Sequence, residues 1–395
     1  MESREQMTAL TIYGPFLTQT GYGHHTREFV RELTRQGIAV ELKDVPLWSP
    51  AVLPPEKRNP WFETLASPVG AKIALHFRMP HQVTPDPDKL NVNFTMFEAS
   101  RVHAEWVRLG RAHDLLILPA ESSRRAWEES GMPANRIRIC PLGVDPSAFA
   151  PSADGTAPGK PQVRFLNVSD YNSRKNLSGL LRAWTKATRQ DDDAILTIKT
   201  GKTLKPATLP AELDGAAPVR FLRATLPDSE MPELYRAATH YISASFGEGW
   251  DQPMMEAAAS GLKLIAPDHS AYREYLDETV ATMIPARAVP AVFDSDAATA
   301  KLFENAQWWE PDEDILVESI RAAIEGRESA KLPVRDRIVS RFSWAAATRR
   351  LVEILRELEP LAEYKRSVLA LLQNRRLSPA AERSRLDDRP DRDPS

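Results

Sequence analysis

Two glutamates beside a short glycine-rich loop are the residues of this 395-residue chain best suited to chemistry. Glu248 lies between two glycines in FGEGWDQPMME, and Glu256 follows eight residues later. The apolar run Tyr241–Ser245 predicts a strand before the loop, and Asp251 predicts the N-cap of a helix after it. The open N–H groups of such a helix start suit a phosphate, and the carboxylates suit sugar hydroxyls. The alternative is an ordinary strand–helix turn with solvated acids.

A second group of residues supplies positive charge. The apolar run Phe165–Val168 predicts a strand, and Arg174, Lys175 and Asn176 follow it ahead of a predicted helix. Two adjacent cations at the carboxyl end of a strand would neutralise a pyrophosphate. A solvated basic turn is the simpler alternative.

A third group, GYGHH, lies near the beginning of the chain. Gly21 and Gly23 precede a predicted helix over residues 24–36, and glycines there would let a phosphate approach the backbone closely. Asp44 follows about twenty residues later, as in a dinucleotide fingerprint. The third glycine of that fingerprint is replaced by Thr26, so the pattern is weak evidence for NAD. A loop that simply needs glycine is the alternative.

Strand-like and helix-like segments alternate around these three groups, and this alternation predicts an α/β protein. We expect two doubly wound, Rossmann-like domains that face each other across a cleft, with ligands at the carboxyl ends of the strands. Helices should follow, packing back on the N-terminal domain and interrupted at Pro360, and then a disordered tail. We expect the N-terminal domain at residues 1–150, a linker at 151–161 and the C-terminal domain at 162–343. The helices should take up residues 344–372 and the tail residues 373–395.

Composition excludes several classes of protein. The formal net charge is -3, which argues against a nucleic-acid partner. A single cysteine excludes a disulfide within the chain and a cysteine-based zinc site. The chain carries no signal-like beginning and no apolar stretch long enough to span a bilayer, so we expect a cytoplasmic protein.

Taken together and in this order, the motifs resemble the glycosyltransferase group 1 family (family 4), which has the two-domain GT-B fold. The resemblance extends from about Thr8 to Leu355. It rests on the E-x7-E pair at residues 248 and 256, the RKN loop at 174–176 and the glycine motif at 21–23. Two further segments, at 141–149 and 342–344, resemble those that close the family's domains.

This resemblance implies a retaining transfer from a nucleotide-diphosphate sugar, with no cofactor and no bound metal. Glu256 would hold the ribose of the donor. Arg174 and Lys175 would hold the diphosphate and stabilise the charge of the leaving group. Glu248, with the backbone near Gly249 and Trp250, would hold the sugar.

The N-terminal domain would supply the acceptor side of the site. Gly21 and Gly23 would approach the donor phosphates from that domain. His76 is the candidate for a histidine near the reacting centre, with an ordinary strand-end histidine as the alternative. Glu98 is a candidate for contact with the acceptor.

Some features depart from the family pattern or imitate other patterns. Trp250 and Asp251 replace the commoner Phe-Gly, which bears on the choice of sugar. The acidic run Asp191–Asp193 resembles the D-x-D metal site of the other major glycosyltransferase fold, but a solvated turn is the simpler interpretation. The pair Trp308 and Trp309 suits either sugar stacking or packing.

Two other functions stay open: a non-catalytic nucleotide-sugar binder of the same fold and an NAD-dependent oxidoreductase. The nucleotide base, the sugar, the oligomeric state and the acceptor, whether a lipid-linked glycan, a protein or a small molecule, are not determined. Five arginines would suit an anionic membrane surface, with a solvated face as the alternative, at positions 101, 108, 111, 124 and 125.

Overall fold

Two six-stranded parallel sheets form the framework of the computed structural model, which describes residues 8–46, 49, 51–151, 162–201, 213–293 and 297–376. Each sheet is wound by helices, so the predicted α/β architecture with two Rossmann-like units is confirmed. Of the predicted linker, only Pro151 falls within the described residues.

The first sheet is built from the N-terminal part of the chain in the strand order β2-β1-β3-β4-β5-β6. Its central strands are buried along their whole length, as expected for a parallel sheet with helices on both faces. The elements are β1 (Ala9–Gly14), α1 (Gly21–Arg35), β2 (Ala39–Asp44), β3 (Ile73–Phe77), β4 (Leu90–Phe94), α2 (Ala104–Gly110), β5 (Leu115–Leu118), α3 (Glu121–Glu129) and β6 (Ile137–Ile139).

The second sheet has the strand order β12-β11-β10-β7-β8-β9, with every pair parallel. Its strands β9 and β12 were not among the predicted ones. The elements are β7 (Val163–Val168), α4 (Leu177–Ala187), β8 (Ala194–Thr200), β9 (Val219–Arg223), α5 (Met231–Arg236), β10 (His240–Ile242), α6 (Gln252–Ala259), β11 (Lys263–Pro267) and β12 (Thr282–Ile284).

An antiparallel hairpin, β13 (Ala286–Pro290) with β14 (Gln307–Pro311), extends from the second unit and was not predicted. The segment between its strands includes α7 (Ala297–Leu302) and carries aromatic residues that pack on the first unit. Phe303 stacks on Phe97 with ring centroids 5.3 Å apart. Trp308 is buried in the same aromatic cluster, so packing accounts for this residue. The hairpin therefore joins the two units through an apolar contact.

The chain ends in four described helices: α8 (Glu313–Ile324), α9 (Val334–Arg341), α10 (Trp344–Arg356) and α11 (Glu359–Arg376). Helix α10 lies against α1, where Trp344 packs edge-on against Phe29 at 5.3 Å. Pro360 lies in the first turn of α11, a position where its missing N–H costs nothing, so the predicted helical run is split there.

The predicted start of the tail at residue 373 is wrong, because α11 continues through Arg376. The first residues of the tail, QNRR, include good helix formers, and composition alone hid the continuation. Residues 377–395 lie outside the described part of the chain. Among the described helices, none combines the length and the apolar character that a membrane span requires.

Leu351 is expected to be essential for the packing of α10, since its side chain is fully buried. Leu351→Ala should lower the free energy of unfolding by about 2–5 kcal/mol. The matched control is Leu371→Ala on α11, where the leucine is 64% exposed and the change should stay within about 0.5 kcal/mol. Urea unfolding followed by circular dichroism measures both, and equal effects would contradict the packing described.

Candidate active site in the cleft between the two units

The acidic loop lies at the carboxyl end of β10. The chain leaves the sheet after Ile242, passes through the loop that contains Glu248, and enters α6, whose first turn tolerates a proline. Glu256 is inside α6 and buried. The strand predicted at Tyr241–Ser245 ends at Ile242. Beyond it, the Ser243 hydroxyl bonds to the Tyr272 hydroxyl and the Ser245 hydroxyl donates to the Gly247 carbonyl.

Arg174 and Lys175 both contact the carboxylate of Glu248. Lys175 Nζ donates to Glu248 Oε1 at 2.6 Å, and Arg174 Nη1 donates to Glu248 Oε2 at 3.0 Å. The Glu248 side chain is only 5% exposed. Burial by itself raises the pKa of Glu248, but the two cations outweigh it and hold the pKa well below its usual value. Glu248 is therefore an ionised, doubly paired carboxylate.

The loop after β7 that carries Arg174 and Lys175, here called the basic loop, is held in place by two asparagines. Asn172 accepts a hydrogen bond from the Lys175 N–H at 3.1 Å. Asn176 adopts a left-handed conformation with φ 50°, caps α4 by accepting from the Gly179 N–H, and donates to the Ala244 carbonyl at 3.0 Å. These bonds tie the loop after β7 to the chain that follows β10, which brings the cations to Glu248.

Two glycines of the acidic loop let the first unit come close. A Cβ on Gly247 would lie 2.3 Å from the Glu98 carbonyl oxygen, and one on Gly249 would lie 2.9 Å from Met96 Cβ. The loop after β4 thus touches the loop after β10. Glu98 also lies 3.7 Å from Arg174, so it joins the charged group from the opposite side of the cleft.

The glycine motif belongs to the first turn of α1, not to a loop ahead of it as predicted. The helix begins at Gly21, and Thr20 caps it by accepting from the Gly23 N–H at 3.1 Å. A Cβ on Gly23 would lie 2.1 Å from the Thr18 carbonyl oxygen, so the protein's own loop requires glycine there. Gly21 faces open space. The side chain of Thr26 fills the contact with β1 that a dinucleotide fingerprint reserves for glycine.

Glu256 is bound from both units. Tyr235 donates to Glu256 Oε2 at 2.6 Å, and His24 Nε2, on the first turn of α1, lies 3.7 Å from Oε1. Burial raises the pKa of Glu256 to about 7, although the charge of His24 opposes the rise.

His24 is a member of this site that the sequence analysis did not single out. Its Nδ1 lies 3.4 Å from Asp228, which also accepts a bidentate pair of hydrogen bonds from Arg27 at 2.9 Å. Burial lowers the pKa of His24, but Asp228 outweighs that effect and raises it to about 9. The histidine pair after GYG was the signal in the sequence that could have indicated His24, but its partner Asp228 is distant in the sequence.

The ligand atoms of His24, Glu28 and Asp228 lie within 4.8 Å of one another, a spacing that suits a metal ion. Arg27 already occupies both oxygens of Asp228 and balances its charge. The acidic run Asp191–Asp193 lies at the amino end of β8, away from the carboxyl ends of the strands, and Asp192 pairs with Arg321 at 2.7 Å.

His76 is placed apart from the charged residues of the cleft. It is fully buried within β3, where Nε2 shares a hydrogen bond of 3.0 Å with Asn91 and the ring stacks on Tyr13 at 4.7 Å. Burial lowers its pKa to about 4, so the ring is neutral. Its described contacts belong to the first unit and do not reach Glu248 or Lys175.

Trp250 contributes its backbone rather than its ring to the loop. The indole is buried against Tyr275 and Phe342, with ring centroids 5.4 and 5.7 Å away. The Tyr275 hydroxyl donates to the Trp250 carbonyl oxygen at 2.9 Å, which fixes the end of the acidic loop.

Solved structures with a similar architecture place this chain among proteins of the GT-B fold. Anabaena HepE, in complex with UDP and glucose, superposes with a TM-score of 0.61 at 12% identity, over 89% of this chain and 100% of HepE. The sucrose-phosphate synthase of Thermosynechococcus elongatus superposes with a TM-score of 0.57 at 15% identity, over 89% and 99%. At these identities the likeness establishes the fold.

The sequence comparisons show which family the chain resembles. Residues 162–301 match the family described as Glycosyl transferases group 1. A D-inositol 3-phosphate glycosyltransferase of Nocardia farcinica is 29% identical over 43% of this chain, and a phosphatidyl-myo-inositol mannosyltransferase of Mycolicibacterium smegmatis is 28% identical over 58%. The chain spans 40% and 54% of the length of these relatives. The predicted resemblance to group 1 glycosyltransferases is confirmed.

The ionised His24 is expected to stabilise the contact between the two units in a pH-dependent manner. The pKa of His24 in the folded protein is raised above its value in the unfolded chain. Its contribution to the free energy of unfolding is therefore complete below about pH 6.5 and is lost as the pH rises toward 9. The difference in unfolding free energy between wild type and His24→Asn should therefore narrow by up to about 3 kcal/mol over this interval. Urea titrations at a series of pH values measure it.

His81 provides the control, because partial burial lowers rather than raises its pKa. The difference between wild type and His81→Asn should not narrow toward pH 9. If the His24→Asn difference proved independent of pH, His24 would be neutral in the folded protein, contrary to the ion pair described.

Proposed function

We propose that this protein is a retaining glycosyltransferase that moves a sugar from a nucleotide-diphosphate sugar to an acceptor hydroxyl, without a bound metal. The observation that carries the proposal is the placement of Arg174 and Lys175 in the cleft, paired with the buried Glu248. Two cations at the carboxyl ends of parallel strands suit a diphosphate better than any uncharged ligand.

The cations act on the leaving group. As the bond between the sugar and the β-phosphate breaks, negative charge grows on the nucleoside diphosphate, and Lys175 and Arg174 stabilise it. Because the diphosphate competes with Glu248 for these cations, its arrival frees the carboxylate of Glu248 to accept hydrogen bonds from sugar hydroxyls. Gly249 and the backbone of Trp250 line the same side.

The ribose is assigned to Glu256, and the first turn of α1 to the phosphates. Glu256 lies inside α6, one segment beyond the acidic loop, so a nucleotide whose diphosphate meets Lys175 extends toward it. The open space in front of Gly21 admits a phosphate from the first unit, while Gly23 shapes the turn. Glu98 reaches the cleft from the acceptor side. The role of His76 near the reacting centre stays a prediction, since its described contacts lie within the first unit.

The relatives bear on the donor and the acceptor. HepE is described in complex with UDP and glucose, and a relative of Mycobacterium tuberculosis is described as a GDP-mannose-dependent alpha-mannosyltransferase. We therefore propose a hexose donor carried by UDP or GDP, and a glycan, lipid-linked or protein acceptor in glycan biosynthesis. The site of action would be the cytoplasm or the inner face of the membrane.

The arginines considered for a membrane surface carry less free charge than the sequence indicates. Arg108 donates to Glu105 at 2.8 Å, and Arg124 lies within 3.3 Å of both Glu121 and Glu128. Peripheral association through these helices would have to compete with these pairs, so it is the weaker part of the proposal.

Lys175 and Glu256 should differ in their effects on kinetics. Lys175→Ala should lower kcat by about 10- to 150-fold, because a hydrogen bond to a charge that grows in the transition state is lost. Glu256→Gln should mainly raise the KM for the donor, because the ribose hydroxyls do not change during the reaction. Steady-state kinetics with the nucleotide sugar measure both parameters.

Lys186→Ala is the matched control, since this lysine is exposed and pairs with Glu313 on the surface. It should leave both parameters unchanged. Wild-type kinetics in a folded Lys175→Ala variant would exclude the role given to the basic loop. A defect in kcat alone for Glu256→Gln would move this residue from the ribose to the reacting centre.

The proposed chemistry needs no divalent cation, so EDTA should leave the transfer rate unchanged. The charge of the leaving diphosphate is instead met by Arg174 and Lys175. Initial rates with and without EDTA, followed by addition of manganese, test this. Loss of activity that manganese restores would contradict the metal-independent mechanism and direct attention to Asp228 and its neighbours.

A further inference from the structure

Asp251, the residue that precedes α6, has a backbone conformation that does not favour an aspartate. Its φ is 63° and its ψ is 71°, in the left-handed region that glycine enters without steric cost. It occupies the N-cap position, yet its side chain makes no capping hydrogen bond. The role predicted for its side chain at the helix start is therefore wrong, and neither capping nor backbone geometry accounts for a carboxylate here.

The two oxygens of this carboxylate differ in their surroundings. Asp251 Oδ2 accepts a hydrogen bond from the Tyr272 hydroxyl at 2.7 Å. Asp251 Oδ1 has no hydrogen-bond partner among the described residues, although the side chain is only 2% exposed. Buried carboxylate oxygens are normally hydrogen-bonded, so Oδ1 is available to accept a bond from a bound molecule.

The available oxygen lies beside the charged residues of the site. Lys175 Nζ is 3.9 Å from Asp251 Oδ1 and 2.6 Å from Glu248 Oε1. Two atoms 3.9 Å apart can both bond to one group placed about 2.8 Å from each. A group of the ligand that meets Lys175 or Glu248 is thus within reach of Asp251.

We propose that Asp251 determines sugar specificity by accepting, through Oδ1, a hydrogen bond from one hydroxyl of the sugar being transferred. This inference rests on the proposed function, in which Lys175 holds the diphosphate and Glu248 the sugar. The Tyr272 hydroxyl orients the carboxylate from the far side, and the buried setting makes an unmatched sugar costly, because the oxygen then stays unpaired. A sugar that lacks this hydroxyl, or presents it with the opposite configuration, is selected against.

The test compares Asp251→Gly and Asp251→Asn with the wild type. The donor is UDP-glucose or GDP-mannose, whichever the wild type hydrolyses, and each of its monodeoxy-sugar analogues. Asp251→Gly should lower kcat/KM for the parent donor by about 10- to 150-fold, and Asp251→Asn, which keeps an acceptor oxygen, by less. With the wild type, one deoxy analogue should show the same loss of kcat/KM that Asp251→Gly shows with the parent donor. With Asp251→Gly, that analogue should show no loss beyond the one caused by the substitution.

Two further measurements separate this role from a structural one. The affinity for the nucleoside diphosphate alone, measured by calorimetry, should not fall in either variant, because each removes a negative charge beside Lys175. Asp251→Gly should also be at least as stable as the wild type, because glycine suits the backbone and removes the unpaired oxygen. Asp268→Asn, a change at a partly exposed aspartate paired with Arg273, serves as the control and should change none of these values.

Equal losses for every deoxy analogue, or loss of nucleoside diphosphate binding in Asp251→Gly, would overturn the inference and make Asp251 a residue that only supports the position of Lys175. Those outcomes leave the proposed function in place, because the wild type still hydrolyses the donor. A wild-type protein that binds neither UDP nor GDP would instead refute the proposed function, and the inference with it.

Discussion

The buried contact of two cations with one carboxylate is the constraint on which the rest of the site depends. Arg174 and Lys175 both pair with Glu248, whose side chain is almost fully buried. Loss of both cations would leave a buried carboxylate without a partner, at a cost of about 3–5 kcal/mol. The asparagines of the basic loop hold the cations at the carboxyl end of β10. In the proposed function, a charged donor would exchange partners with an existing ion pair here, which avoids the cost of moving its charge into an apolar cavity.

This contact also requires that the two units lie close together. The glycines at 247 and 249 admit the loop after β4, and Gly143 has the same role near the start of α10, where a Cβ would lie 2.4 Å from the Trp344 N–H nitrogen. Arg27 holds the Phe16 and Thr18 carbonyls while it bonds to Asp228 across the cleft. The position of the glycine motif relative to Glu256 is therefore set by side chains of both units.

Much of the fold could be predicted from the sequence, because the strands of a parallel sheet are continuous apolar runs. The apolar run Phe165–Val168 predicted a strand, and it forms most of β7 (Val163–Val168). The strand Val219–Arg223 was missed because arginines interrupt its short apolar run, as suits a partly exposed strand at the edge of the sheet. The start of α1 was placed too late because two glycines in a first turn are poor helix formers, and the Thr20 cap that compensates was overlooked.

The candidate site was predictable where a motif is local, and not where partners are distant in sequence. The spacing of Glu248 and Glu256 and the adjacent pair Arg174 and Lys175 are local patterns. The link from His24 to Asp228 joins an N-terminal helix to the turn before α5, and no spacing rule points to it. The hairpin formed by β13 and β14 escaped prediction for the same reason, since its aromatic residues are explained only by the N-terminal surface that they cover.

The balance of charge in the cleft links these observations. Glu248 and Asp251 lie beside Lys175, Glu256 is buried nearby in α6, and burial raises the pKa of Asp251 and of Glu256. The diphosphate of the proposed donor would add further negative charge to the same space. The cation His24, which the first unit places 3.7 Å from Glu256, would compensate part of it, so the contact between the two units would favour the binding of an anionic donor. In the proposed function, specificity for a nucleotide sugar would follow from the sum of the charges, and specificity for one sugar from individual hydrogen bonds such as the one assigned to Asp251.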